Sequence, residues 1–81
     1  MKLYFVYILY SEKYPDRYYT GYTTDVDRRL IEHNQGKDIY TKKYKPWRLK
    51  SYVAFPSKQR ATAFERYLKT GSGRALAIKH L

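Results

Sequence analysis

The segment from Leu3 to Tyr10, LYFVYILY, is an unbroken run of aromatic, aliphatic and β-branched side chains. A strand with one wet face alternates apolar and polar residues. A run with no polar member has to be covered on both faces, which places it in the middle of its sheet. The remaining sequence must therefore supply flanking strands and covering layers. At 81 residues there is room for one small domain, expected to span 1–81.

The following segments meet that demand in order. SEKYPDR brings Ser, Pro and Asp for a turn, and RYYTGYT reads as a second strand, antiparallel to the first because the connection is short. Thr24 or Asp25 is placed to cap a helix running to about Asn34 and stopping at Gly36. KDIYTKKYKPWR reads as a basic, aromatic loop with Pro46 ending any local helix. Leu49 to Phe55 is expected as the third strand, closed by Pro56. Ser57 can cap a second helix from Lys58 to about Thr70, and Ser72 a short last one after the TGSG break. The order β-β-α-β-α-α predicts an α+β fold, a three-stranded antiparallel sheet flanked by helices.

Charge narrows the functional classes. Lys and Arg number 17 against 7 Asp and Glu, a net charge of +10 distributed along the chain. A field of that sign attracts polyanions, and nucleic acid is the expected partner. No segment joins a basic face to a long apolar one, so a membrane surface is not the expected partner. The absence of Cys excludes disulfides and thiolate metal sites. LYFVYILY is too short for a membrane span and lacks a small-residue cleavage site, and the chain is expected to be cytoplasmic.

The first helix carries an oddity. Val26 and Leu30 set its apolar direction, and Arg29 and His33 fall on the same side, with Arg28 and Glu32 opposite. An arginine turned toward a core is costly unless it is paired or awaits an anion. Taken singly, Arg29 could extend past the core edge and His33 could be an ordinary surface histidine. Tyr7 and Tyr19, on the two hairpin strands, can each reach over the sheet, although tyrosine is also an ordinary strand residue. Glu65 is one of only three glutamates and falls at the edge of the second helix's apolar side, marked by Ala61, Phe64 and Leu68. It could simply pair with Lys69 four residues on. As a lone carboxylate at the rim of a basic face, it also suits one hard divalent ion.

Taken together, these residues resemble the GIY-YIG nuclease superfamily, in particular its small stand-alone members, similar to the UPF0213 proteins and to the N-terminal endonuclease domain of the repair excinuclease. The first motif stands as Phe5-Val6-Tyr7 and the second as Tyr19-Thr20-Gly21. The family's arginine falls on Arg29, its His or Tyr one turn later on His33, and its metal-binding glutamate on Glu65. The resemblance implies a metal-dependent nuclease hydrolysing phosphodiester bonds with one divalent metal held by Glu65, Mg²⁺ or alternatively Mn²⁺. Arg29 would neutralise charge on the non-bridging oxygens. Tyr7 would act as general base or position the attacking water, with Tyr19 beside it and His33 orienting them or sharing the proton.

Two positions depart from the family pattern. Phe5 replaces the first motif's glycine. The asparagine that many active members carry after the glutamate would fall near Leu76 or Ala77, and no Asn follows Asn34. In the basic loop, Lys42, Lys43, Lys45 and Arg48 interleave with Tyr40, Tyr44 and Trp47, cations for phosphates and rings for bases. Trp47 itself reads as a core anchor. The chain has no room for a separate recognition domain, so weak sequence specificity is expected, with DNA ahead of RNA and choice made by substrate structure or a partner protein. The rival class is a nucleic-acid-binding module without catalysis. A small protein-interaction domain explains the charge but not the constellation.

Overall fold

A computed structural model describes all residues, 1–81. The apolar run forms β1 (Tyr4–Ser11), with Val6, Tyr7, Ile8 and Leu9 all buried in succession. It is the central strand of an antiparallel sheet, between β2 (Tyr18–Thr23) and β3 (Trp47–Phe55), in the order β2-β1-β3. Tyr7 stands opposite Gly21 on β2 and Tyr52 on β3. The β1–β3 register shifts between Ile8 and Leu9, which face Ser51 and Leu49, leaving Lys50 as the extra residue of a bulge.

The helices split between the two faces. Helices α1 (Val26–Asn34) and α2 (Ile39–Lys43) cover the face carrying Tyr7, Leu9 and Trp47, against which Val26, Leu30, Tyr19 and Tyr44 pack. Helices α3 (Lys58–Leu68) and α4 (Gly71–His80) cover the opposite face, where Val6 and Ile8 meet Ala61 and Leu68, with Phe55, Phe64 and Leu76 around them.

Local chemistry sets the helix ends. The Asp25 carboxylate accepts from the Arg28 amide at 3.1 Å to start α1, and Gly36, at φ +79°, turns the chain after it. Ser57 accepts from the Arg60 amide at 3.3 Å and starts α3 as expected. Three boundaries differ from the sequence reading. The expected loop contains α2, because the Asp38 carboxylate accepts from the amides of Tyr40 (2.9 Å) and Thr41 (3.2 Å) and nucleates a turn. β3 starts at Trp47 rather than Leu49, since Trp47 and Arg48 continue the pairing opposite Ser11 and Tyr10. Thr70, not Ser72, caps α4: its hydroxyl accepts from the Gly73 amide at 3.2 Å, and Ser72 is exposed in the first turn. Gly73 lets α4 fold back tightly, because a side chain there would meet the Tyr67 carbonyl and come within 2.6 Å of Leu68 Cα.

Candidate active site

β1, β2 and α1 bring four of the five expected site residues, Tyr7, Tyr19, Arg29 and His33, together directly. His33 is fully buried on the inward side of α1, where its Nε2 lies 2.9 Å from the Tyr7 hydroxyl and 3.3 Å from Arg29 Nη2. A guanidinium only donates, so Nε2 is the unprotonated nitrogen and the Tyr7 hydroxyl donates to it as well. The proton therefore sits on Nδ1, which donates to Thr41 Oγ1 at 2.8 Å. Tyr19 closes the cluster, its ring centroid 4.7 Å from His33 and 6.2 Å from Tyr7.

Gly21 makes the Tyr7 position possible. Any Cβ built there would collide with the Tyr7 hydroxyl and ring carbons, so the phenol lies across bare backbone of β2. The hydroxyl is thereby carried from the central strand to the outer one. Glu65, on α3, hydrogen-bonds none of these four side chains, and its negative charge is a minor cause that raises the Tyr7 pKa. Burial is the largest, and Tyr7 is pushed up to about 12 although the Arg29 guanidinium beside it pulls the other way. His33 is pushed down, first by burial and then by the Arg29 charge, which keeps it neutral near pH 7. Tyr7 and His33 thus form a buried floor with the partly exposed Tyr19 and Arg29 beside it, and Glu65 on α3 is likewise partly exposed.

Arg29 is not unpaired. Its Nη1 lies 2.6 Å from Glu32 Oε1, and the two side chains are about equally half-buried. Glu32 therefore does not point away from Arg29 as the helical wheel implied. A spacing of three lets two long side chains meet around the helix surface. Burial alone would lower the Arg29 pKa, but the bonds to Glu32 and Tyr7 hold it above its ordinary value, so the charge is permanent. The Arg29 bond in turn holds the Glu32 carboxyl below its usual range.

The metal question rests on donor chemistry. No group of three or more His, Cys, Asp or Glu side chains is assembled anywhere in the chain. The half-buried Glu65 carboxylate has one partner, the exposed Lys69 ammonium at 3.2 Å. A single carboxylate suits Mg²⁺, which keeps much of its water and completes its shell with substrate phosphate oxygens. Glu65 thus fits such an ion.

The expected basic residues fare unequally. Lys42, Lys43 and Lys45 are exposed on and after α2, whereas Arg48 is held in an ion pair with Glu12. Trp47 is buried, as expected of a core anchor. Two residues overlooked in the sequence matter here. Thr41 is fully buried and fixes the His33 tautomer, and its carbonyl accepts from Trp47 Nε1 at 2.7 Å. Asn34 clamps the Trp47 backbone, its Oδ1 accepting from the amide at 2.6 Å and its Nδ2 donating to the carbonyl at 3.1 Å. Asp38 as a helix cap was the available signal for Thr41. Asn34 offered none. The position where a late asparagine would fall, Leu76 and Ala77, packs into the apolar cluster.

A strand-borne tyrosine over a glycine, with an arginine and a histidine one helical turn apart, agrees with the comparisons to known proteins. Residues 3–77 match the GIY-YIG catalytic domain. The chain belongs to the GIY-YIG nuclease family, whose substrates are nucleic acids. It is 48% identical over 66 residues to UPF0213 protein BH0048 of Halalkalibacterium halodurans, covering 80% of this chain and 68% of that protein. It is 52% identical over 48 residues to UPF0213 protein Reut_B5558 of Cupriavidus pinatubonensis, covering 58% of this chain and 53% of that one. The chain thus spans about two thirds and about half of these relatives, whose names state no activity. The solution NMR structure of UPF0213 protein BH0048 from Bacillus halodurans has the same fold, with a TM-score of 0.57 at 39% identity over 95% of this chain and 83% of that one.

Proposed function

We propose that the chain is a divalent-metal-dependent endonuclease that hydrolyses phosphodiester bonds in DNA with weak sequence specificity. One observation carries the reading: a tyrosine hydroxyl and a half-exposed arginine converge on the unprotonated nitrogen of one buried histidine, and the charge of the α3 glutamate, Glu65, bears on the same tyrosine. A structural hydrogen-bond network needs neither the glutamate nor a half-exposed arginine beside it.

Each side chain then has a defined task. Arg29 exchanges Glu32 for a phosphate, matching its fork to two non-bridging oxygens and balancing the charge that builds there. That movement uncovers the Tyr7 hydroxyl. Neutral at physiological pH, Tyr7 serves as base only as a relay: its oxygen takes a proton from the attacking water as its own proton passes to His33 Nε2. His33 becomes an imidazolium, tolerated because the phosphate now offsets the Arg29 charge, and Thr41 holds the ring in place. Glu65 would hold the metal, Mg²⁺ or Mn²⁺, which when bound supplies Lewis-acid polarisation of the phosphate. Tyr19 packs on the histidine and limits its rotation. The exposed Lys42, Lys43 and Lys45 draw in the backbone, with Arg48 secondary because Glu12 occupies it. Substrate structure or a partner protein supplies selectivity, in a cytoplasmic setting.

The test is incubation of labelled single-stranded, duplex and branched DNA and RNA with Mg²⁺ or Mn²⁺, then with chelator, alongside Arg29→Ala and Glu65→Ala. Cleavage abolished by chelator and by Glu65→Ala, with binding retained, is the expected result. Binding without cutting, indifferent to metal, overturns it. The Arg29–Glu32 pair favours that second reading, a binding module with little or no catalysis, because it satisfies the arginine without any phosphate.

A further inference from the structure

Beside the site, along the outer edge of β2, runs a groove of about 240 Å³ whose walls include Tyr18, Tyr19, Tyr40, Lys69 and Arg74. It shares Tyr18, Thr20, Leu68 and Arg74 with a second hollow that extends toward Lys50 and Ile78. No Asp or Glu lines either hollow. The groove meets the site at both ends of its chemistry. Tyr19 packs against His33, and Lys69 pairs with Glu65. Tyr40, from α2, is 46% exposed and sits 6.2 Å from the Tyr19 ring, while Tyr18 is 38% exposed on the strand edge.

From this arrangement we infer that the groove binds an unpaired polynucleotide strand next to the scissile phosphate, with a base against Tyr40 or Tyr18 and backbone phosphates on Arg74 and Lys69. A duplex keeps its bases stacked inside and offers phosphates alone, so it has no use for exposed ring faces. Rings set between cations form the platform on which single strands lie. The Lys69 ammonium is reachable because its side chain is 54% exposed even while it pairs with the partly buried Glu65. The inference rests on the nuclease reading for the identity of the neighbouring phosphate, but the binding itself does not require cleavage. It assigns the single-stranded arm of a flap or fork to the open edge of β2, between Tyr40 of α2 on one side and Lys69 and Arg74 on the other.

The experiment is fluorescence anisotropy of the full chain in chelator, with labelled oligothymidylate, the matching single-stranded RNA, and a duplex of equal length. Tyr40→Ala is expected to weaken single-strand binding by about tenfold while changing duplex binding little. Arg74→Ala is expected to reduce the salt slope for single strands by about 0.7. Both side chains are exposed, and circular dichroism verifies that the variants fold. Arg74→Lys should restore most of the slope. Single-strand affinity unchanged in folded Tyr40→Ala and Arg74→Ala overturns the inference, as does an equal loss on duplex. If the variants weaken single-strand binding but wild type cleaves nothing in Mg²⁺ or Mn²⁺, the groove stands and the nuclease reading falls.

Discussion

Against one face of the sheet, Val6 and Ile8 meet Ala61 and Leu68 in a cluster whose buried members are all apolar. Against the other, Tyr7, Leu9 and Trp47 share the interior with the buried polar residues Ser11, Thr23, His33 and Thr41. Both faces hang on the same four consecutive residues of β1. The buried polar side chains leave no unpartnered nitrogen or oxygen. Apolar burial stabilises without direction, whereas a hydrogen-bonded network holds each atom to one place. The first face is held by apolar burial alone, and the second adds to its buried Leu9 and Trp47 a network that holds a histidine, a tyrosine and an arginine in one geometry.

That division can be broken from either side. The largest stability effect belongs to the apolar face. Leu68→Ala should cost about 2–5 kcal/mol in urea unfolding, leaving the pH profile of any cleavage unshifted. Arg29→Ala should do the reverse: cleavage falls about 100- to 1000-fold, while unfolding changes by less than about 1 kcal/mol, because the Glu32 pair is partly exposed. A shift of the unfolding midpoint as large as that of Leu68→Ala would show that the two faces are not separable.

Stability against pH sharpens the contrast. His33 has a folded pKa below its ordinary 6.5, so the unfolded chain binds more protons and stability is lost as pH falls below about 6.5. Tyr7 is raised from 10.0 to about 12, so the folded chain holds its proton longer and stability declines as pH rises between those values. Urea midpoints should therefore drop on both sides of a plateau. The acid limb should flatten in His33→Gln and the alkaline limb in Tyr7→Phe, and neither should change in Ile8→Val. An acid limb that persists in His33→Gln would assign it to other groups.

The smallest effect is expected from Thr41→Val. Removing a buried hydroxyl that accepts from His33 Nδ1 should cost about 1 kcal/mol of stability and slow cleavage by roughly fivefold. The acid limb should also move, since the imidazole proton loses its partner.

The two faces were also unequally legible in the sequence. LYFVYILY declared a central strand because an all-apolar run leaves no other position, and Ala61, Phe64 and Leu68 declared the buried side of α3 by their spacing. Arg29 and His33 stood out as misplaced polar residues on an apolar stripe. Their partners did not. Glu32 was assigned to the far side of the wheel, although its spacing from Arg29 is that of an ion pair. Thr41 lies on a five-residue helix too short for periodicity to reveal, and it meets His33 only after the chain has turned at Gly36. Asn34 clamps a residue 13 positions away through backbone atoms, which no side-chain pattern encodes. Ser72 looked like a cap because it precedes an apolar stretch, but Thr70 lies at the break itself and takes the role.

The bare backbone at Gly21 has a consequence for anyone transplanting this site. Neighbouring strands lie about 5 Å apart, so a phenol rooted on a middle strand reaches past an outer one only by lying flat over a position with no side chain. A host sheet would need that tyrosine and that gap in direct cross-strand register, before any arginine or histidine is added. An alanine in the gap would leave the ladder intact and silence the graft by lifting one ring.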